Sequence, residues 1–458
     1  MKMVKSLLLG TAAGLVAMSG AQAADLPVKA KPVQYVKICS LYGAGFYYIP
    51  GTDTCIKIGG FVRTEMNFNA NGSFSVSRGD LDSPARNDLV WRSRAVVTFD
   101  VRSQTEYGTL RSYMAGGYQW ENGAGSGVSG TGAGLVNGNS LNIYRGFIQW
   151  AGFTAGRSKS FFDVFDTPVY SNTTNVLTSD TGGTGINLLG YTAQFGNGFS
   201  ATISVEDGAH RRISGGGAVI SPTAGIAGTT YAGVSWPDVV ANLRVDQAWG
   251  SAQVMGALHY VEAINGAATG TVDEIGWAVG AGLTLNLPFL GARDTFSTQI
   301  TYAEGAMHYV GSGIGAGMTA TQGFPVLTDA AFAPGFDAAL VGAGNSLDLT
   351  TGWSIGAGIQ HYWTPTLRTS LYGFYGELEY TAAASAVIPA AACGAAASCD
   401  WSMWQIGSRT VWNPVTNLDL SVDIMYNSVD GATGGGGTTN NEVGWLQGMV
   451  RAQRNFYP

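Results

Sequence analysis

The sequence predicts an all-β chain closed into a 16-stranded antiparallel transmembrane β-barrel, and three observations lead there. The first is a period of two. From Ile275 to Leu287 every second residue is apolar (Ile275, Trp277, Val279, Ala281, Leu283, Leu285, Leu287), while the interleaved set is Gly276, Ala278, Gly280, Gly282, Thr284 and Asn286. Successive side chains of a strand point to opposite faces, so one face here is apolar and the other small or polar. Leu418, Leu420, Val422, Ile424 and Tyr426 repeat the pattern against Asp419, Ser421, Asp423, Met425 and Asn427. It runs less cleanly through residues 91–101, 243–249, 254–260 and 296–302.

The second observation separates a membrane barrel from a soluble sandwich, since both alternate. Short turns at Gly196-Asn197-Gly198, Trp249-Gly250-Ser251, Thr364-Pro365-Thr366 and Asn413-Pro414-Val415 take turns with long polar or Gly/Ala-rich connections near 69–88, 120–140, 207–228, 311–350 and 381–399. Short turns at one rim and long loops at the other are what an outer-membrane barrel requires. The third is an export signal followed by no helix able to span a bilayer. Lys2 and Lys5 precede an apolar run from Leu7 to Met18, too short to cross, and Ala21-Gln22-Ala23 forms a cleavage site.

The expected division is residues 1–23 as signal peptide, 24–55 as an N-terminal periplasmic segment carrying a disulfide, and 56–458 as the barrel. Sixteen strands fall near 56–68, 89–102, 106–118, 141–151, 153–158, 186–195, 199–206, 229–248, 252–262, 273–286, 294–309, 351–363, 366–380, 400–412, 417–428 and 442–456. An even count returns both termini to the periplasmic rim. Pro237 sits inside the eighth. Trp91, Trp150, Trp249, Trp353, Trp363, Trp404, Trp412 and Trp445 lie near strand ends, where interface girdles place aromatics.

Composition excludes several function classes. Removing Lys2 and Lys5 with the signal leaves 22 basic against 31 acidic residues, a net charge of −9. No nucleic-acid partner is expected, because phosphate binding needs clustered Lys and Arg. Cysteines at 39, 55, 393 and 399 form two close pairs, which an oxidising compartment turns into Cys39–Cys55 and Cys393–Cys399 disulfides; a metal site is the rival reading. His210, His259, His308 and His361 are scattered without zinc spacing, and no cofactor is expected.

Val36 to Arg63 (VKICSLYGAGFYYIPGTDTCIKIGGFVR), RSKSFFD at 157–163 and PDVVANLRVDQAWGSAQ at 237–253 closely resemble the alphaproteobacterial, rhizobial-type outer-membrane porin family, over essentially the whole mature chain. The resemblance implies 16-stranded barrels in outer-membrane lipid, assembled as homotrimers, through which small hydrophilic solutes and ions diffuse passively. It also implies that the third long loop folds into the barrel and narrows the pore. One departure is the C-terminus, where Phe456 and Tyr457 precede Pro458 in place of a terminal aromatic residue.

Parity assigns the charges. If Trp91, Ala95, Val97, Phe99 and Val101 face lipid, then Arg92, Arg94 and Arg102 face the lumen. Arg63 likewise lies opposite Val62 and Thr64, Arg111 opposite Leu110, and Arg145 opposite Tyr144 and Ile148. An arginine facing lipid at mid-bilayer costs about 2–4 kcal/mol, so Arg63, Arg92, Arg94, Arg111 and Arg145 are expected to form a basic wall at the constriction. The connection at 159–185 holds Asp163, Asp166 and Asp180 with Phe161, Phe162 and Phe165; its aromatics are expected on the inner wall and Asp163 and Asp166 across the opening from the arginines. The rival readings are that the arginines pair with Glu65 and Asp100, and that Asp163 caps a short helix.

Gly352-Trp353-Ser354-Ile355-Gly356 matches G-x-S-x-G but lies inside an alternating strand, not at the elbow that a nucleophile needs. Gly125 to Gly130 matches G-x-G-x-x-G by composition alone. No enzyme activity is expected. A channel specific for sugars or organic anions is the runner-up, opposed by the fall of most Tyr and Trp on the lipid-facing parity.

Overall fold

The computed structural model describes residues 37–69, 89–121, 140–172, 176–183, 185–212, 219–220, 231–265, 270–311, 326–328, 331–332, 335–342, 346–387, 398–431, 433–434 and 443–456. Sixteen antiparallel strands form the wall: β1 (Cys55–Phe68), β2 (Leu89–Thr105), β3 (Gly108–Glu121), β4 (Ser140–Trp150), β5 (Phe153–Ser158), β6 (Ile186–Gly196), β7 (Phe199–Glu206), β8 (Asp238–Gln247), β9 (Gly250–Ile264), β10 (Thr271–Asn286), β11 (Thr295–Glu304), β12 (Thr351–Thr364), β13 (Leu367–Glu379), β14 (Trp401–Trp412), β15 (Leu418–Asp430) and β16 (Val443–Asn455). Each pairs with its neighbour in sequence, and β16 pairs back on β1 from Phe61↔Asn455 to Phe68↔Gly448, so no edge is left open.

Alternation sorts the side chains as the periodicity predicts. Val254, Leu258, Ile275, Ile300, Leu371 and Ile406 on one parity are each about half or more exposed, and their strand neighbours Gln253, Ala257, Gln299, Tyr372 and Gln405 are buried. A belt of exposed aliphatic side chains around a closed barrel is a surface for lipid. The tight turns sit on one rim. Ala151-Gly152 (φ 49° and 89°) and Asn197-Gly198 (φ 51° and 78°) have positive φ at both central positions, the geometry of two-residue hairpins whose twist matches the strands.

Differences from the expected boundaries have local causes. The eighth strand begins at Asp238, directly after Pro237, which has no N–H for the ladder. The eleventh ends at Glu304, because positive φ at Gly305 turns the chain into a helical turn at Met307–Val310. At β4 a bulge opposite Ala115/Gly116 leaves Tyr144 without a register partner. Tyr144, expected outside, is thereby buried among inward-facing residues beside Arg145.

Residues 37–48 form a hairpin at the terminal rim, with Tyr47 and Tyr48 paired to Ile56 and Cys55. The Cys39–Cys55 disulfide ties it to the first strand. Phe46 lies 4.9 Å beneath the Arg102 guanidinium, and Ala44 O accepts from Lys57 Nζ at 3.2 Å, so the hairpin covers inward-facing side chains of β1 and β2. Cys399 is buried and disulfide-bonded, whereas Cys393 and the signal segment lie outside the described residues.

The turns are testable. A Cβ on Gly198 would meet Asp246 O at 1.9 Å at φ 78°, whereas Gly183 has open space. Gly198→Ala should lower the temperature at which the purified barrel unfolds on a heated gel by several degrees, and Gly183→Ala should leave it unchanged.

Candidate functional site: the lumen and its third loop

The small inward-facing residues have a purpose that alternation alone does not reveal. The connection between β5 and β6, residues 159–185, sets its side chains against glycines of the inner parity. A Cβ on Gly190 would come within 2.6 Å of Phe161, on Gly282 within 2.5 Å of Val164, and on Gly358 within 2.7 Å of Tyr170; Leu177 lies over Gly376. Phe162 and Phe165 are fully buried, Phe162 against Tyr309 and Phe165 against Tyr170 and Phe374.

Inward-facing polar side chains then take up the backbone of this segment. Gln299 Oε1 accepts from Val164 N and Phe165 N at 2.8 and 2.9 Å, and Phe161 O accepts from Asn242 Nδ2 and Gln253 Nε2 at 2.7 and 3.0 Å. Gln360 Nε2 donates to Val169 O at 2.8 Å. Further along, Arg409 Nη1 donates to Pro168 O and Ser171 O at 2.8 and 3.1 Å, Asn172 N donates to Asp423 Oδ2 at 2.5 Å, and Arg451 donates to Asn172 Oδ1 and O at 2.7 and 3.1 Å. The segment leaves β5 and is anchored on β8 to β16. Arg409 and Arg451 were missed by sequence reasoning; the signal was present, since both lie on the inward parity of strands already assigned.

Asp163 requires a correction. It does not stand across the opening from the basic wall: its side chain is fully buried, accepting from Ser179 Oγ at 2.6 Å and from Thr181 N and Oγ1 at 2.7 Å. Its cation is Arg211 at 3.3 Å, on a short helical turn (Gly208–Arg211) of the next long loop, and Arg211 in turn lies 4.2 Å from the Tyr309 ring. Burial alone would raise the Asp163 carboxyl, but Arg211 and then Lys159 outweigh it and hold its pKa below the usual carboxylate value. Asp180 is also buried, and burial with Asp163 and Asp166 nearby pushes its pKa up. Asp163 caps no helix. Asp166 precedes the turn at Thr167–Tyr170 with no side-chain cap, and is the exposed acid of this segment.

The basic wall separates into paired and unpaired members. Arg92 is buried against Glu65, which also accepts from Arg451 Nε at 2.7 Å; in the register, Arg92 and Arg451 stand directly opposite Glu65 on either side. Its expected place in the open wall is therefore corrected: a guanidinium already ion-paired and out of water is part of the wall's fabric. Arg102 and Arg111 both grip Asp100, at 2.7 and 3.0 Å. Arg145 donates to Gly182 O at 2.5 Å, joining the wall to the end of the loop. Among the described residues, Arg63 and Arg94 bond neutral side chains, Gln453 at 2.6 Å and Gln119 at 2.6 Å. Ser354 lies mid-strand in β12 and donates to Val310 O at 2.5 Å, with none of the elbow geometry of a nucleophile.

The Asp163–Arg211 contact yields a measurable expectation. Arg211→Ala strands a buried carboxylate and should cost about 3–5 kcal/mol, read as a lower unfolding temperature and faster proteolysis of the loops; adding Asp163→Asn should recover part of it. Because the folded pKa of Asp163 is depressed, its contribution is present at neutral pH and lost as pH falls through that pKa, below the unfolded value near 3.9. The acid limb of the melting profile should flatten in the double variant.

Comparison with known proteins fits this architecture. Residues 25–447 match the Porin subfamily. The porin Omp2b of Brucella suis biovar 1 is 34% identical over 254 residues, covering 54% of this chain and 64% of that protein, so the match spans just under two thirds of the relative's length. A second Brucella suis Omp2b sequence is 36% identical over 275 residues, covering 58% and 68%. Among solved structures, the outer membrane channel DcaP of Acinetobacter baumannii aligns with a TM-score of 0.57 at 16% identity over 89% of this chain and 99% of that one, and Salmonella typhi OmpF with 0.50 at 12% identity over the same shares. A closed sixteen-stranded barrel with a lipid-facing apolar belt, matched to this profile over nearly its whole length, belongs to the Porin subfamily of outer-membrane proteins.

Proposed function

We propose that the chain is a general diffusion porin, a passive water-filled channel for small hydrophilic solutes and ions, in which residues 159–185 narrow the lumen and fixed charge filters what passes. The observation that carries this reading is the sorting of polar side chains: a closed barrel with Arg63, Arg92, Arg94, Arg111, Arg145, Arg409 and Arg451 on the inner parity and an exposed carboxylate, Asp166, on the segment anchored inside. Opposed fixed charges across a narrow, low-dielectric opening orient dipolar solutes and sort ions. In this reading Arg63, Arg94, Arg111 and Arg145 form the basic side, Asp166 the acidic side, and Phe161 and Phe162 hold the loop to the wall.

The assembly we infer is a homotrimer. On the outer face of β1 and β2, Trp91 Nε1 donates to Thr64 Oγ1 at 2.8 Å beside Ser93. Hydroxyls held together on the outer face suit a protein neighbour better than hydrocarbon.

Replacing Arg94 and Arg111 together with Gln should move the reversal potential in a salt gradient towards cations, and Asp166→Asn should move it towards anions. Unchanged reversal potentials in both would remove the filter. Gly358→Val, which drives a branched side chain into Tyr170, should destabilise the loop by about 1–3 kcal/mol and raise single-channel conductance.

A further inference from the structure

The inner face of β1–β4 carries an apolar cluster that passive diffusion leaves without a role. Phe61, Val96, Tyr113, Ala115 and Tyr144 pack together, and Phe147 stacks on Tyr113 with centroids 5.3 Å apart. Phe61, Tyr113 and Phe147 stay half-buried, all on the inward parity. Guanidiniums lie against these rings: Arg63 at 4.6 Å from Phe61, Arg94 at 4.9 Å from Tyr144, and Arg111 at 5.2 and 5.4 Å from Tyr113 and Phe147.

Arg111 shares the Asp100 carboxylate with Arg102. Arg63 and Arg94 stand directly opposite each other across the β1–β2 ladder, and among the described residues no carboxylate lies within ion-pair distance of either. Like charges directly opposite destabilise a strand pair, and ring faces beside a hydrated lumen gain nothing from water. Both costs are recovered by a solute that carries a carboxylate on an apolar body. The guanidinium N–H groups not used by Gln453 and Gln119 can take a carboxylate fork, and the rings can take the body.

We propose that Arg63 and Arg94, with Phe61, Tyr113 and Phe147, form a saturable binding site for small amphipathic carboxylates, aromatic acids above all. The proposal rests on the channel reading and names the solute class that this channel holds in transit.

The test uses purified full-length protein in planar bilayers, with chloride current titrated by benzoate, acetate and benzyl alcohol. Benzoate should reduce the current saturably, while acetate and benzyl alcohol at equal concentration should not. The Arg63→Gln/Arg94→Gln pair should weaken benzoate block about tenfold or more, and Phe147→Ala should weaken it as well. Benzoate indistinguishable from acetate in the native protein overturns the site. So does a benzoate block unchanged in the glutamine pair: if the reversal potential has still moved, only the site falls, and if neither moves, the filter falls with it. Should the glutamine pair fail to fold, Arg63→Lys/Arg94→Lys keeps the charge and removes the fork; weaker benzoate block supports the site, and unchanged block overturns it.

Discussion

A residue in a single-layered barrel wall faces either hydrocarbon or lumen, and a cation facing hydrocarbon at mid-depth costs about 2–4 kcal/mol. The rest of the molecule follows from that constraint. It puts Arg63, Arg92, Arg94, Arg111, Arg145, Arg409 and Arg451 on the inner parity, and it leaves long β-branched and aliphatic side chains for the outer one. Once the charges are inside, the inner wall must also solve a packing problem. The loop seats where the wall is thin, at Gly190, Gly282, Gly358 and Gly376 among others, so the tiny residues that interleave the apolar ones are sockets for Phe161, Val164, Tyr170 and Leu177.

Much of this was legible in the residues. The sixteen strands, the sorting of their connections, the Cys39–Cys55 link and the inward parity of the arginines all follow from patterns of period two and from cysteine spacing. What could not be read is partner choice. Parity states which face Asp163 or Arg92 occupies, but not whether the nearest opposite charge is near enough to claim it. Arg211, 48 residues away along the chain, claims Asp163 by folding from a different loop. Arg92 is claimed by Glu65, a reading open from the start, because the two fall opposite in register only once the length of the connection between their strands is absorbed. Tyr144 was misplaced because a single unpaired residue inverts the alternation, and nothing in its immediate sequence announces the bulge.

The loop is fixed by groups that would be liabilities alone. Asp163, Asp180, Arg211, Arg409 and Asp423 are all buried; Asp163 and Arg211 pair with each other, while Asp180, Arg409 and Asp423 take backbone amides and carbonyls of the loop as partners. Such a network resists partial disassembly, since removal of one member strands the next. This is a physical basis for a segment that keeps its place on the inner wall: the loop is built like a core.

Glu65, gripped by Arg92 of β2 and Arg451 of β16, has a consequence for how the barrel forms. It lies on the first strand at the seam where the last strand returns. A slip of one residue would turn Arg451 towards lipid, and a slip of two would set Glu65 opposite Met449 or Gln453, leaving a buried carboxylate with one cation and an arginine with none. The seam therefore carries its own key: the final strand completes the ring at low free energy in one register.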